Sequence, residues 1–335
     1  MSTNVRDSAD AARLWRGGRL SAVVTKLLVI CACFWYLTRQ VDVSRVLADL
    51  PLLEFRWIAS AVVGMMLQIP LVGLRWRTII TAISALNVRT TRAAIITITA
   101  IAEFFAQVLP SVAGDGIRAW FLVRLGCAWH NAVISVLIDR AVGIGLLVSL
   151  GFFILLLDSD LSALGEYRRQ VLEVYGALLL AGAVGLLLLR KIGALLGQWR
   201  YSRWMAALAP DVHRVLLGSK CLAILALGML IHALTIAVVW SIGRSLGLML
   251  TVADAAVLFT IMLGVAIVPI TISGWGLREL AMVALLGHYG IAPEKALLFS
   301  VCFGIVSAVA TLPGALAWLV YSVAQARAPS SERVA

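Results

Sequence analysis

The sequence predicts an all-α, polytopic membrane protein that contains an inverted repeat and has both termini in the cytoplasm. The first observation is composition: 62% of the 335 residues are hydrophobic, 13% are charged and the mean hydropathy is +0.99. A soluble core of this size does not need so much apolar sequence. The second observation is a motif, glycine–any–glycine–aliphatic–arginine, that occurs twice. The third is the charge of the loops, which indicates the side of the membrane on which each loop lies.

Composition and charge also exclude several classes of protein. The net charge is +11, but the basic residues lie in short loops between apolar runs. They therefore indicate orientation in the membrane and contact with anionic headgroups, and no nucleic-acid partner is expected. The five cysteines lie in or beside apolar segments, which argues against a disulfide framework. No spacing typical of a metal site and no phosphate-binding loop of an ATPase occurs, so we expect no metal and no cofactor.

The N-terminal part predicts two spans. Residues 1–20 form a basic segment that we expect in the cytoplasm, and Ser21–Leu37 is an apolar run without a signal-peptide cleavage site, hence an uncleaved first span. Trp57–Leu74 is the second predicted span. Four arginines with no acid among them follow it and place the next loop in the cytoplasm. They are Arg75, Arg77, Arg89 and Arg92.

The next segment is predicted to be a re-entrant hairpin. If Ala93–Leu109 and Ala132–Leu157 both crossed the membrane fully, the acidic loop 158–173 would be cytoplasmic and the basic loop 190–220 external. Both assignments violate the charge rule. If residues 93–128 instead enter from the cytoplasm and return to it, every loop lies on its expected side. Within the basic loop, an amphipathic helix on the membrane surface is predicted from four apolar residues. They are Trp199, Trp204, Met205 and Leu208.

The second half repeats this arrangement. Cys221–Ile242 is predicted to run outward as a span, and Val252–Pro269 with Leu277–Leu286 to form a hairpin that opens from the outside. Ala296–Tyr321 then crosses inward. Inverted repeats with interrupted helices are typical of transporters, whose substrate site lies where the broken helices meet.

The predicted organisation is therefore one transmembrane domain, residues 21–322, between the N-terminal segment and a cytoplasmic tail, residues 323–335. Within the domain, a span–hairpin–span unit at about 57–157 is repeated upside down at about 221–321.

The repeated motif supplies the candidate binding residues. Gly114-Asp115-Gly116-Ile117-Arg118-Ala119 and Gly274-Trp275-Gly276-Leu277-Arg278-Glu279 lie 160 residues apart (114 to 274). Helix-breaking glycines beside an arginine in apolar surroundings predict the tips of broken or re-entrant helices around a site. The alternative is two interfacial turns that match by chance. A helix N-terminus next to an arginine suits a lipid phosphate. The predicted substrate-binding residues are Gly114, Asp115, Gly116, Arg118, Gly274, Gly276, Arg278 and Glu279.

Structural roles for the same residues stay open at this point. Each arginine could instead pair with a nearby carboxylate, Arg118 with Asp115 and Arg278 with Glu279, and only lock its hairpin. Asp115 could also cap a helix that begins at Gly116.

Four more polar residues form a predicted coupling or structural ion network. Glu103 and Gln107 share one helical face, and Glu103 has apolar neighbours, so it must face protein or water. It could couple transport to protons, bind an amine-bearing headgroup, or form a salt bridge with Arg140. Asp139 and Arg140 are adjacent and point about 100° apart on a helix, so we expect them to serve different partners.

These motifs resemble a known family. Gly-Asp-Gly-Ile-Arg-Ala, the Asp139-Arg140 pair and Ile-Ser-Gly-Trp-Gly-Leu-Arg-Glu are similar to the lysylphosphatidylglycerol synthase transmembrane-region family, also called flippase-like proteins, over roughly residues 20–322. The resemblance implies movement of a modified lipid across the bilayer. The better-understood members of that family carry a soluble aminoacyl-transferase. Because this chain stops at Ala335, translocation without synthase activity is expected. Trp275 stands where we expect a small or aliphatic residue from the resemblance, which leaves the identity of the headgroup open.

Two classes of function follow. The first is a translocase in the bacterial inner (plasma) membrane that moves an anionic phospholipid, an aminoacylated lipid or a polyprenyl-phosphate-linked lipid between leaflets. The second is a membrane enzyme acting on a lipid headgroup, or a non-catalytic partner of a lipid- or glycan-synthesis complex. The sequence has no clustered acid–base or nucleophile group, so no catalytic residue is assigned. Expected partners are membrane lipids and an enzyme of lipid or glycan synthesis that supplies the substrate; the sequence does not indicate the oligomeric state.

Overall fold

Helices account for all regular secondary structure in the residues that the computed structural model describes, namely 28, 31–33, 35–39, 41–83, 90–109, 111–157, 168–196, 203–267 and 274–327. Residues 31–33 and 35–39 are helical, and a 3-10 turn, Leu50–Leu52, follows the first complete helix. The complete helices are α1 (Val43–Asp49), α2 (Phe55–Ala82), α3 (Arg92–Val108), α4 (Ser111–Arg124), α5 (Trp129–Leu157), α6 (Arg168–Leu196), α7 (Arg203–Leu217), α8 (Cys221–Ser245), α9 (Val252–Ile267), α10 (Leu277–Gly287), α11 (Pro293–Ala310) and α12 (Leu312–Arg327). The all-α prediction is confirmed.

Within the described ranges, five helical stretches are long and apolar enough to cross a membrane, so the chain is a multi-pass membrane protein. They are Phe55–Ala82, Trp129–Leu157, Arg168–Leu189, Cys221–Ser245 and Pro293–Gln325. The side of the membrane on which each loop and terminus lies stays a prediction. The N-terminal segment 1–20 and the end of the predicted tail lie outside the described residues.

The second predicted span is longer than expected. The apolar run ends at Leu74, but α2 continues to Ala82 and carries Arg75 and Trp76 into the packed interior, where both are buried. The assignment of Arg75 to a cytoplasmic loop was therefore wrong. The helix continues because Ile79 and Ile80 extend its buried face and because Arg75 meets a carboxylate there, as described below.

The first predicted hairpin corresponds to α3 and α4, which pack against each other. Thr91 caps α3 by accepting a hydrogen bond from the Ala94 N–H at 3.1 Å. A Cβ at Gly114 would lie 2.6 Å from the Ala102 carbonyl oxygen, so the absence of a side chain permits the close approach of the two helices. Gly114 and Gly116 lie inside α4 rather than at its start. The first motif is thus not a helix-opening turn. The interruption between the two helices lies earlier, between the end of α3 at Val108 and the start of α4 at Ser111.

The second predicted hairpin corresponds to α9 and α10, and here the motif does open a helix. Gly274 and Gly276 have φ angles of 78° and 88°, a left-handed backbone that favours glycine, and α10 begins directly afterwards at Leu277. Pro269 lies outside the described residues.

The last predicted span, Ala296–Tyr321, consists of two helices that meet at Thr311. The second of them, α12, has Pro313 in its first turn, where a missing N–H leaves no helical hydrogen bond unmade. A Cβ at Gly314 would clash with the Ala100 carbonyl oxygen, which shows how closely α12 crosses α3.

The long helices α2 and α8 pack side by side, α3 packs between α2 and α12, and α10 packs on α9 and α11. The predicted amphipathic helix falls mostly where side chains are not described: Trp199 precedes the described helix, and α7 runs from Arg203 to Leu217. This arrangement places the polar residues of α2, α3, α4 and α5 next to one another.

Candidate functional site

A buried chain of charged side chains joins four helices. Arg75 Nε donates to Asp139 Oδ1 at 2.8 Å, and Arg118 Nη1 donates to the other oxygen, Oδ2, at 3.0 Å. Arg118 Nη2 also donates to Glu103 Oε1 at 3.0 Å. Two guanidinium groups therefore face two carboxylates, with Asp139 shared between the arginines. Because Arg75, Arg118 and Asp139 are all buried, the removal of any one would leave an uncompensated charge in the interior.

The Arg118 guanidinium is enclosed on its remaining face by an aromatic ring. Its carbon lies 5.4 Å from the centre of the Trp76 ring, a distance suited to a cation–π contact. Trp76 is held in turn by Ser135, whose Oγ accepts from the indole Nε1 at 3.2 Å. Arg118 is 1% exposed. The first-motif arginine is thus fixed by protein groups on three sides.

A second ion pair lies beside this chain and is more accessible. Arg140 Nε donates to Asp115 Oδ1 and Oδ2 at 2.9 and 3.0 Å. The Arg140 side chain is 45% exposed and the Asp115 side chain 23%, while the Glu103 side chain is 30% exposed. Gln107, four residues beyond Glu103, is half-buried. These residues form the accessible rim of an otherwise buried polar cluster.

The prediction that Asp139 and Arg140 serve different partners is confirmed. Two alternatives from the sequence are wrong: Glu103 pairs with Arg118 and not with Arg140, and Arg118 pairs with Asp139 and Glu103 and not with Asp115. The adjacent residues 139 and 140 point in different directions from α5, so Asp139 meets Arg118 and Arg140 meets Asp115. Asp115 lies inside α4 and does not cap a helix at Gly116.

The second arginine is held locally. Arg278 Nη2 and Nε donate to Glu279 Oε1 at 2.7 and 3.1 Å, and Nε also reaches Ser300 Oγ at 3.1 Å. The other Glu279 oxygen accepts from the Gly276 N–H at 2.6 Å, so one carboxylate both pairs with the arginine and caps α10. Arg278 and Glu279 are buried. Of the alternatives, the pairing of Arg278 with Glu279 is the one observed.

Aromatic rings cover this second centre. The Arg278 guanidinium lies 4.7 Å from the centre of the Trp275 ring and 5.7 Å from that of Phe303. Gly304 leaves the space for both groups, since a Cβ there would lie 2.6 Å from Arg278 Nη2 and 2.7 Å from Trp275. Trp275 therefore serves as a cover for the arginine.

The partners of Arg118 and Arg278 are different residues throughout the described contacts. Binding of one headgroup by both arginines stays a prediction, as do the ligand roles of the motif glycines. Sequence reasoning missed Arg75, Trp76 and Ser300. The apolar periodicity that continues through Ile79 and Ile80 could have placed Arg75 in the helix, whereas the sequence carries no comparable signal for Ser300.

The comparison with protein families agrees with the resemblance noted in the sequence. A family model described as the lysylphosphatidylglycerol synthase TM region matches residues 23–314. The match includes both motifs and each helix that contributes a charged group to the two centres. No curated protein matches the chain.

Proposed function

The chain belongs to the lysylphosphatidylglycerol synthase transmembrane-region family, and on this premise we propose that it moves a phospholipid between the two leaflets of the bacterial inner membrane. The chain is a multi-pass helical membrane protein of a family related to lipid metabolism, so membrane lipids surround it. The proposed substrates carry a phosphate, with or without an amine, on the headgroup.

One observation carries the proposal: accessible charged side chains occur well inside the apolar helices. Arg140 lies eleven residues after the start of α5 at Trp129, about 17 Å along the helix, within a bilayer core about 30 Å thick. A charge at that depth is costly when it faces lipid. The exposure of Arg140, Asp115 and Glu103 is therefore best explained by a polar space through which a headgroup passes.

The chemistry of these groups fits a phospholipid headgroup. The planar guanidinium of Arg140 can donate two hydrogen bonds to a phosphate, and the Glu103 and Asp115 carboxylates can accept from an amine. Arg118 and Arg278 are buried and held by carboxylates, which favours a role for Arg118 in joining α3, α4 and α5 and a role for Arg278 in holding α10 against α11. Their direct contact with a lipid phosphate stays a prediction from the sequence.

The proposal includes the inverted repeat and the re-entrant helix pairs. In support, α3 and α9 begin at Arg92 and Val252, separated by the same 160 residues as the two motifs. Each starts a pair of shorter helices whose second member contains the motif arginine, and a longer helical stretch follows each pair. In transporters built this way, the interrupted helices lie around the substrate site.

The test is a leaflet-exchange assay with the purified protein in liposomes that contain a fluorescent phospholipid. The wild-type protein should accelerate access of the inner-leaflet label to an impermeant quencher and leave the mass of the lipid unchanged. Arg140→Gln should slow exchange about tenfold or more, because charge-assisted hydrogen bonds to the headgroup contribute about 1.5–3 kcal/mol.

Arg169→Gln is the matched control, because Arg169 also pairs with a carboxylate, Glu173, but is 89% exposed near the start of α6. It should exchange lipid like the wild type. Exchange no faster than in protein-free liposomes, or a covalently altered lipid without any added partner, would reject the translocase.

A further inference from the structure

A cavity of about 380 Å³ lies among α3, α4 and α12, and none of its lining residues belongs to the charged groups of the two centres. Its volume is in the range of small-molecule sites. Its polar lining residues are Thr97, Arg124, Tyr321 and Gln325, and its apolar lining residues include Ile98, Ile101 and Leu125. The lining is therefore amphipathic.

Arg124 is the distinctive group of this cavity. It is the last residue of α4, its Nη1 donates to Tyr321 Oη at 2.8 Å, and its guanidinium carbon lies 5.0 Å from the centre of the Trp120 ring. Both partners are uncharged, and no carboxylate in the described part of the chain pairs with it. The buried arginines 75, 118 and 278 all have a carboxylate. Arg124 thus keeps its positive charge available to an anion.

The apolar lining runs inward from this cation. Because α4 returns beside α3, Arg124 at the end of α4 lies near the start of α3, and Ile101 lies nine residues after the start of α3 at Arg92, about 13 Å along the helix. Beyond Ile101, the rings of Phe105 and Phe121 contact Trp318 at 5.2 and 6.4 Å between centres. These rings join the three helices, and Phe121 also lines the cavity.

We propose that the cavity binds one anionic phospholipid, with its phosphate on Arg124, Tyr321 and Gln325 and one acyl chain along Ile98 and Ile101. The cation and the hydroxyl suit a phosphate, and the apolar depth suits a hydrocarbon chain. The lipid would contact all three helices at once and so hold the α3–α4 pair against α12. This role does not depend on lipid translocation.

The test measures thermal unfolding of delipidated protein in detergent while phosphatidylglycerol or phosphatidylcholine is added. Phosphatidylglycerol should raise the unfolding temperature of the wild type in a saturable manner, and phosphatidylcholine should do so at about tenfold higher concentration. Arg124→Gln should need about tenfold more phosphatidylglycerol for the same shift. Leu125→Ser, at an exposed lining position, should need about threefold more phosphatidylglycerol than the wild type for the same shift.

The matched control is Arg244→Gln. Arg244 is also exposed and stacks on aromatic rings, at 5.9 Å from Trp57 and 5.7 Å from Trp240, at the end of α8, but it does not line this cavity. It should respond to phosphatidylglycerol like the wild type. An equal response of Arg124→Gln and wild type, or an equal response to both lipids, would overturn the proposal. A stabilisation by water-soluble glycerol phosphate as large as that by phosphatidylglycerol would replace the lipid by a free phosphate.

These outcomes are distinguishable from failure of the translocase. A protein that binds phosphatidylglycerol at Arg124 and exchanges no lipid would retain the cavity proposal and lose the proposed function. A protein that exchanges lipid but does not bind phosphatidylglycerol at Arg124 would retain the translocase and reject the cavity as a lipid site.

Discussion

The centres around Arg118 and Arg278 share one local sequence pattern and are built in different ways. Arg118 is held by Glu103 from α3 and Asp139 from α5, so its partners come from other helices. Arg278 is held by Glu279, its neighbour in sequence, and by Ser300 of the next helix. The first centre extends to accessible side chains, whereas the second is closed. A five-residue pattern therefore predicts the position of an arginine but not its partners.

The glycines of the two motifs differ in the same way. Gly276 has a positive φ and ends the turn before α10, whereas Gly116 lies within α4 and a Cβ there would have no heavy atom within 4 Å. One glycine is required by the backbone conformation, and the other is not. Gly276 therefore makes a turn, whereas Gly116 occupies the same position in its motif without making one.

The largest expected effect is that of Asp139→Asn in the first centre. Asparagine keeps the shape of the side chain but leaves Arg75 and Arg118 without their shared carboxylate in the interior. The free energy of unfolding should fall by about 3–5 kcal/mol, visible as a lower unfolding temperature and lower folded yield in detergent. Asp115→Asn is the control, since it breaks a partly exposed pair and should cost about 1 kcal/mol or less. Equal losses in the two variants would show that the chain of four charges does not hold the helices.

The next effect concerns the second centre and tests whether it is local. Arg278→Met should lower the free energy of unfolding by about 3 kcal/mol, because Glu279 is then buried without a cation. Adding Glu279→Gln should recover about half of that loss, since glutamine can still accept from the Gly276 N–H and carries no charge. Thermal unfolding of the single and double variants measures the recovery.

The corresponding pair in the first centre should behave differently. Adding Glu103→Gln to Arg118→Met should recover little, because Glu103 is 30% exposed and Asp139 still has Arg75. A recovery as large as that in the second centre would show that Arg118 and Arg278 depend on one carboxylate each and that the two centres are equivalent.

The smallest effects are expected from alanine substitutions of Gly276 and Gly116, the second glycine of each motif. The two substitutions should change the free energy of unfolding in opposite directions. Gly276→Ala should lower the free energy of unfolding by about 1–2 kcal/mol, because an L side chain is strained at φ 88°. Gly116→Ala should raise it by about 0.5–1 kcal/mol, because alanine favours a helix interior. Unfolding temperatures of the two variants decide the point, and destabilisation by both would mean that Gly116 needs its freedom for a conformation other than the one described.

Much of the fold could be predicted from the sequence, because apolar runs of helix length mark most spans directly. The start of α9 at Val252 and that of α10 at Leu277 agree with prediction. The length of α2 could not be predicted from hydropathy, since Arg75 depends on a partner 64 residues away. The predicted end of the first segment of the first hairpin at Leu109 also agrees with α3, which ends at Val108. The interpretation of Gly114 as a helix breaker was wrong, because this glycine lies inside α4 and permits a close contact between α3 and α4.

Part of the first centre was predicted in membership but not in pairing, and Arg75 and Trp76 were missed. Glu103, Asp115, Arg118, Asp139 and Arg140 do lie together. Which carboxylate meets which arginine depends on the rotation of each helix about its axis, and a difference of one residue exchanges Asp139 for Arg140. Local sequence determined only the pairing of Arg278 with Glu279, which are neighbours on the same helix.

The shared carboxylate of Asp139 has a consequence for the order in which the protein is made. Arg75 leaves the ribosome before Asp139 has been synthesised, so α2 enters the bilayer with an unpaired guanidinium, at a cost of about 2.5–3.5 kcal/mol if it sits at the centre. Arg75 lies near the C-terminal end of α2, from which a long side chain can extend to the headgroups until α5 arrives. Arg278 and Glu279 emerge together, so this ion pair can form as soon as α10 forms, before Ser300 and Phe303 of α11 complete the second centre. The ion pairs of the first centre are therefore complete only when α5 has been inserted, whereas the ion pair of the second centre needs no later helix.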